Sequence, residues 1–350
     1  MDSGERGYNA RMLTIDGSHG EGGGQILRTA LGLSLVTGRA FRIERIRAAR
    51  KKPGLMRQHL TAVQAAAQIG RAKITGAALG SPELTFWPGP VRAGDYRFAI
   101  GTAGSTTLVL QTILPALLTA DGPSTLRLEG GTHNPHCPPY DFIEKTFVPV
   151  INRMGPRVST SLERRGFYPA GGGKFSVTIE PARALQPIDL LERGAVQRRL
   201  ARAIVSNLPR SIAERELGVV HERLGWKRDE LAVEEMTDAL GPGNVLMLEI
   251  ESEHVTEVLT AFGERGVPAE TVANRAVSAA EEYLAAGVPV DGHLADQLLL
   301  PLALASHGSF LTLAPSLHTR TNIDVIRKFL GVEFTSEQVG ESGWHIRVGG

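Results

Sequence analysis

Apolar and polar positions along the chain switch between two periods, and the switches mark a recurring order of elements. Met12-Leu13-Thr14-Ile15-Asp16-Gly17 reads as a short strand ending at a turn. The glycine-rich run Gly20-Glu21-Gly22-Gly23-Gly24-Gln25 follows, and then Ile26, Leu27, Ala30, Leu31 and Leu35 recur at helical spacing. Phe41 to Ile46 alternates as a strand does, Pro53-Gly54 marks a turn, and Gln58 to Ile69 reads as a second helix. Lys73-Ile74-Thr75 and Glu83-Leu84-Thr85-Phe86 close the unit as a strand pair.

The same order returns. Tyr96 to Ile100 is a predicted strand, Gly101 to Ser105 a glycine-rich turn, Leu108 to Leu118 a helix, and Thr125 to Leu128 a strand. Phe142 to Met154 is a second helix, and Val158 to Leu162 and Phe175 to Ile179 are closing strands. A third, incomplete copy starts near Pro289, with helix 295–305, strand 309–313, helix 322–330 and closing strands at 333–335 and 344–347. Leu114-Pro115-Ala116-Leu117 and Leu300-Pro301-Leu302-Ala303 place a proline inside matching helices. Such a proline kinks the helix and frees a carbonyl. Four residues before them stand Gln111 and Gln297; aligning Gly32 with the prolines brings Arg28 level with both. Repetition on this scale argues for tandem βαβα modules.

The expected architecture is α/β (α+β), with modules at about 11–90, 91–184 and 281–350 and a disordered start at 1–10. Residues 185–280 differ in texture and read as an inserted smaller α/β domain. There Gln197–Val205, Ala213–Leu224 and Val255–Phe262 are predicted helices, and Val245–Ile250 a strand.

Composition narrows the function classes. The net charge of the 350-residue chain is +1, so any nucleic-acid contact must come from a local patch. The single cysteine, Cys137, rules out an intrachain disulfide and suits a reducing cytosol. No apolar run approaches a membrane span, and Met1 to Ala10 carries no signal-peptide core. A cytoplasmic protein without a membrane segment is expected.

Three constellations carry candidate chemistry. The first is Pro315-Ser316-Leu317-His318-Thr319-Arg320-Thr321-Asn322, which places His318 between a strand end and a capped helix start. Helix N–H groups there favour an anion beside it, so His318 reads either as a nucleophile toward phosphorus or as an idle loop histidine. The second is the glycine turn, whose N–H groups could cradle phosphates while Glu21 holds a divalent cation. Neither a P-loop nor a dinucleotide fingerprint is present. The third is basic: Arg42, Arg45, Arg47, Arg50, Lys51, Lys52 and Arg57, opposed by Glu44 alone. It suits a phosphate or RNA-end site, the bland alternative being a solvated loop. His133-x-x-His136-Cys137 has ligand types for zinc, but it lacks a second pair and is stiffened by prolines, which disfavours a metal there.

Four stretches together resemble the RNA 3′-terminal phosphate cyclase family. They are Asp16 through Arg28; Arg47–Arg50 with Lys52-Pro53-Gly54-Leu55 and Arg57 through Ala62; Gly166-Phe167-Tyr168-Pro169-Ala170-Gly171-Gly172-Gly173; and Leu294-Ala295-Asp296-Gln297 with the His318 segment. The resemblance implies three tandem modules like the C-terminal domain of translation initiation factor 3, with an inserted smaller domain. It implies attack of His318 on the α-phosphorus of ATP, transfer of AMP to an RNA 3′-terminal phosphate, and closure by the 2′-hydroxyl to a 2′,3′-cyclic end. It assigns Glu21, Arg28, Arg50 and Gln58 to the adenylylation site, with Glu21 near a divalent metal (Mg2+ or Mn2+). Gln111 and His293, Leu294, Ala295, Asp296 and Gln297 match ATP-contacting positions, and Arg47, Arg50 and Lys52 would meet the RNA phosphate. His293 departs from relatives that carry tyrosine against the adenine. Two other classes compete with this reading. Non-catalytic cyclase-like factors of ribosomal RNA processing lack the nucleophilic histidine, whereas His318, Glu21, Arg28 and Arg50 are all present here. An enolpyruvyl transferase would need no such histidine.

Overall fold

The computed structural model describes residues 12–135 and 137–349. The expected disordered start at 1–10 and His136 of the histidine-cysteine cluster lie outside them.

The first unit runs β1 (Leu13–Asp16), α1 (Gly24–Thr37), β2 (Phe41–Glu44), α2 (Arg57–Ile69), β3 (Lys73–Thr75) and β4 (Leu84–Trp87). Its sheet has the order β1-β2-β4-β3, with β1 and β2 parallel and the other pairs antiparallel. The second runs β5 (Asp95–Ala99), α3 (Thr106–Leu117), β6 (Ser124–Gly130), α4 (Tyr140–Phe142), a π-helical turn (Ile143–Phe147), α5 (Val148–Arg153), β7 (Arg157–Arg164) and β8 (Gly173–Glu180). Its order, β5-β6-β8-β7, repeats the first.

The third sheet is assembled from two separated pieces of chain. Asp189–Leu190 forms β9. After the intervening segment come α8 (Gly292–Leu304), β14 (Gly308–Thr312), α9 (Leu317–Leu330), β15 (Phe334–Val339) and β16 (Gly343–Val348). β9 lies parallel to β14, which gives the order β15-β16-β14-β9. Read from β9, this is again first, second, fourth, third. The strand that the third copy lacked in the sequence stands at 189–190, inside the stretch assigned to the insert.

Between β9 and α8 lie β10 (Val196–Ser206), α6 (Arg210–Leu224), a 3-10 turn (Arg228–Glu230), β11 (Leu231–Met236), β12 (Gly243–Ser252), β13 (Thr256–Phe262) and α7 (Ala269–Ala286). Two expectations fail here: Gln197–Val205 and Val255–Phe262 are not helices but fall on β10 and β13. Their sheet, β11-β10-β12-β13, is covered on both faces. Ala201, Ala203 and Val205 pack with α6 and α7, whereas Ile204, Val245, Met247 and Val258 join the core of the rest of the molecule. A strand buried on both faces loses its alternation, and its apolar spacing then imitates a helix.

The main core gathers around α1, α3 and α8. α1 packs on α3 and α9, and α8 packs on α9. Gly32 explains the close approach, because a Cβ there would lie 3.0 Å from the Thr112 carbonyl oxygen and 3.8 Å from both Leu300 and Pro115. Gly32, Pro115 and Pro301, the aligned positions of the repeat, therefore stand where the three helices converge. Among the described residues no helix is long and apolar enough to cross a membrane.

Candidate active site at the start of α9

His318 is the second residue of α9, behind the N-cap Ser316. The Ser316 hydroxyl accepts the Thr319 N–H at 3.0 Å, and the Ser316 N–H donates to the Thr319 hydroxyl at 3.2 Å, a reciprocal capping box. Thr319 in turn donates to Asp296 of α8 at 2.6 Å. The His318 side chain keeps 51% of its surface exposed on this fixed base.

One hydrogen bond decides the state of the ring. His318 Nδ1 lies 2.9 Å from Gln25 Oε1, which can only accept, so Nδ1 carries the proton. The lone pair of the neutral ring then sits on Nε2, 3.8 Å from Glu21 Oε1. Burial holds the imidazole below its ordinary pKa; Arg28, Arg50 and His293 push the same way and Asp296 opposes them. At neutral pH the His318 ring is uncharged, with its lone pair on Nε2.

The glycine turn brings Glu21 to this point. Gly20 and Gly22 have φ of 56° and 62°, a conformation that costs glycine little. A Cβ at Gly20 would strike the Thr321 hydroxyl at 2.2 Å, and one at Gly23 would strike the Glu21 carboxylate at 2.3 Å. The Glu21 N–H donates to Thr321 at 3.0 Å, tying the turn to α9. The Glu21 side chain is only 7% exposed and pairs with Arg50 through Oε1, while its Oε2 is buried without a partner.

Arg28 lies behind them, largely buried and with no carboxylate partner among the described residues. Burial pulls it down to about 10, so it remains a cation at neutral pH. It shares a cavity with Gln25, Gln111, Asp296 and Gln297, roofed by Pro115 and Pro301. Arg28, Gln111 and Gln297, level in the repeat, thus face one space. The Nε2 amide of Gln111 there is buried and unpartnered. Asn322 closes the base, accepting from Thr29 at 2.7 Å and donating to the Asp296 carbonyl at 3.1 Å. Burial raises Asp296 to about 6, against the Thr319 bond that lowers it.

The remaining candidates are placed less uniformly. Gln58 accepts the Ser105 N–H at 3.1 Å and joins α2 to the turn before α3. Arg47 spends its Nη1 on the Lys52 and Gly54 carbonyls, at 2.7 and 2.9 Å, so it closes its own loop. Lys52 is exposed. His293 is exposed at the start of α8, whereas the side chains of Leu294 and Ala295 belong to the core. His133 is no metal ligand: Thr132 and Asp141 occupy its two ring nitrogens at 2.8 and 2.7 Å. No cluster of three or more metal-ligand side chains occurs among the described residues.

Sequence reasoning passed over two residues at this centre. Gln25 reads as one more position of the glycine turn, and His59 as a helix residue; only the packing of α2 and α9 against the start of α1 reveals them.

The sequence profile of the RNA 3′-terminal phosphate cyclases matches residues 19–336. The chain belongs to the RNA 3′-terminal phosphate cyclase family. The protein of that name from Koribacter versatilis is 54% identical over 334 residues, 95% of this chain and 94% of the relative. The one from Ralstonia nicotianae is 55% identical over 327 residues, 93% and 94% of the two chains. The one from Salmonella enteritidis is 49% identical over 339 residues, 97% and 99% of the two chains. The family match runs through the first glycine turn, the three converging helices and the start of α9.

Proposed function

We propose that this protein is an ATP-dependent enzyme that converts an RNA 3′-terminal phosphate to a 2′,3′-cyclic phosphodiester. The observation that carries the reading is the His318 ring itself, with Nδ1–H held by Gln25 and a free Nε2 beside Glu21. Nε2 attacks the α-phosphorus of ATP, and pyrophosphate leaves as the N–P bond forms. The RNA 3′-phosphate oxygen then attacks the same phosphorus and takes AMP from His318. Finally the adjacent 2′-hydroxyl attacks the 3′-phosphorus and expels AMP. The covalent intermediate splits AMP transfer into two easier displacements, and a third closes the ring.

This chemistry asks the protein mainly for alignment and charge neutralisation. Arg28 and Arg50 supply positive charge from two sides of the glycine turn, Arg28 with no competing carboxylate among the described residues. Gln111 and Gln297 line the space that ATP would enter, His293 is exposed at the start of α8, and Lys52 offers an exposed charge to the incoming RNA end. A single carboxylate with one unpartnered oxygen suits a cation that takes its other ligands from phosphates and water. Glu21 would hold such a divalent cation, whose chemistry is to neutralise phosphate charge. The 2′-hydroxyl is a reactant, so the substrate is RNA; a DNA 3′-phosphate could accept AMP but not cyclise.

The test is an oligoribonucleotide ending in a 3′-phosphate. With ATP and Mg2+ the end should become resistant to phosphatase, and a 3′-hydroxyl oligonucleotide should not react. An end that stays phosphatase-sensitive after complete incubation would contradict the proposal.

A further inference from the structure

The two helices that carry matching prolines also begin in matching ways. Ser105 and Asp291, the N-caps of α3 and α8, each stand ten residues before Pro115 and Pro301. Each accepts the N–H three residues on, Ser105 Oγ from Leu108 at 3.3 Å and Asp291 Oδ1 from Leu294 at 2.7 Å. The backbone N–H of each cap is held in turn by a side chain from a neighbouring unit. Gln58 of the first unit takes that of Ser105 at 3.1 Å. Glu257, on β13 of the insert, takes that of Asp291 at 2.9 Å through Oε1. Glu257 lies outside every role given so far.

A glutamine in such a post is neutral; a glutamate is neutral only when protonated. Glu257 is 0% exposed, and its Oε2 is buried without a partner among the described residues. Asp291 faces it from the start of α8 and Tyr283 from α7. The Tyr283 hydroxyl donates to the Pro289 carbonyl at 3.3 Å, and Arg193 lies over the Tyr283 ring at 5.1 Å. Asp141, Lys145 and Arg275, on other elements packed against β13, are paired with Arg202, Glu249 and Glu264. Burial therefore pushes the Glu257 carboxyl well above the ordinary carboxylate range, with Asp291 adding to it and the N–H groups of Asp291 and Val258 opposing. Protonated, it is the carboxyl counterpart of the Gln58 amide.

We infer that Glu257 is a positioning residue for ATP binding: from the insert it grips the N-cap of α8, as Gln58 grips that of α3, and so sets where Asp296 and Gln297 stand. The start of a helix has N–H groups without partners inside the helix, so its place depends on what holds it from outside. Asp296 and Gln297 follow in the same helix and line the cavity shared with Arg28 and Gln111. The insert thus acts on the core through one hydrogen bond across its boundary. The inference rests on the proposed reading that this cavity takes ATP.

Two substitutions separate the grip from the fold. Glu257→Gln keeps the acceptor and removes the titration, whereas Glu257→Ala removes the acceptor. Both are titrated calorimetrically with α,β-methylene-ATP and Mg2+. Loss of folded protein lowers the stoichiometry; a misplaced α8 weakens the affinity of the protein that remains. Glu257→Ala should bind about tenfold more weakly at unchanged stoichiometry, the scale of one buried hydrogen bond left unmade. Glu257→Gln should stay within about twofold of wild type, because an amide oxygen accepts the same N–H. The inference is overturned if Ala binds as tightly as wild type, or if Gln is as weak as Ala. A wild type that binds the analogue but forms no cyclic end defeats the cyclase reading and leaves the affinity comparison in force; one that binds no analogue overturns both. Melting curves test the protonated acid without ligand and without the Ala variant. Wherever the unfolded Glu257 is ionised, folding of the wild type takes up a proton there, so this group costs stability as pH rises; glutamine carries no such cost. Glu257→Gln should therefore melt higher than wild type at pH 8, by a margin that shrinks at pH 5. A margin that is absent, or that grows toward acid, overturns the neutral grip.

Discussion

In the repeated core, α1, α3 and α8 turn Arg28, Gln111 and Gln297 toward one another and toward a shared cavity. In the insert, α6 and α7 also lie side by side, yet Arg215 meets Glu270 at 2.7 and 2.6 Å in the open, and Arg223 reaches Asn274 at 2.7 Å. Both regions are four-stranded mixed sheets with helices. They differ in which polar groups on the helices are left unpaired. The insert's Arg215 and Arg223 are paired and exposed, and the buried orphan on its helices is an acceptor, Oε1 of Glu216 on α6. Among the described residues the core helices leave donors unpaired, the Arg28 guanidinium and the Gln111 amide, which is what a binding site for an anionic ligand requires. Unpaired donors, more than the fold, separate the two regions.

The seam between the two regions can be broken first. Arg202 of β10 reaches Asp141 at 2.6 Å, Glu234 at 3.3 Å and Glu249 at 3.8 Å, joining the insert to the second unit. Its removal leaves the buried Asp141 carboxylate with His133 alone, whereas Glu249 and Glu234 keep Lys145 and Arg165. Arg202→Ala should cost about 3 kcal/mol of stability in denaturant unfolding, at the lower edge of the range for a broken buried pair. Wild-type stability would mean that the seam is not held by charge.

Within the core, Arg28→Ala should slow AMP transfer to His318 about 100-fold, as expected when a preorganised charge is lost, without a matching loss of melting temperature. A variant that loses both equally would make Arg28 a structural residue. The pH profile sharpens the same point. In the proposed reaction neutral His318 is the reactive form, and its pKa lies below the ordinary imidazole value. Labelling should therefore rise with pH on the acid side and reach its plateau before neutrality. Asp296 raises that pKa, so Asp296→Asn should move the acid limb to lower pH; a limb that moves upward would reverse the assigned electrostatics. The smallest effect belongs to the insert's helices. Arg215→Ala should leave both melting temperature and labelling at wild-type values, since an exposed ion pair is screened by solvent.

The two regions also differ in how plainly the chain announces them. In the core, one-sided strands and helices kept their periods, so α1, α2 and α3 lie within a few residues of their expected spans; α9 ends at Leu330 as expected but starts at Leu317, not Asn322, because Ser316 caps it and His318 falls inside the helix. The alignment of Gly32, Pro115 and Pro301 marked the repeat in the sequence; that three helices converge at these residues came only with the structure. β10 and β13 did not show, because burial on both faces erased alternation, as at Val258 and Leu259. β9 escaped because two residues carry no period at all. At the site, the charged and glycine residues were visible as motifs, but what fixes their chemistry was not. The Gln25 bond to His318 spans 293 residues, and the close approach that demands glycine at position 24, where a Cβ would strike the His59 ring, exists only once α2 lies against α1. Local patterns report local geometry; contacts between units leave no periodic trace.

The central claim is that His318 becomes a covalent carrier of AMP. The protein is incubated with α-labelled ATP and Mg2+, denatured, and digested. One AMP should remain per chain, acid-labile and on the peptide containing His318, and His318→Asn should retain none. Label held by His318→Asn at the wild-type level, or found on another residue of the wild type, would contradict the account.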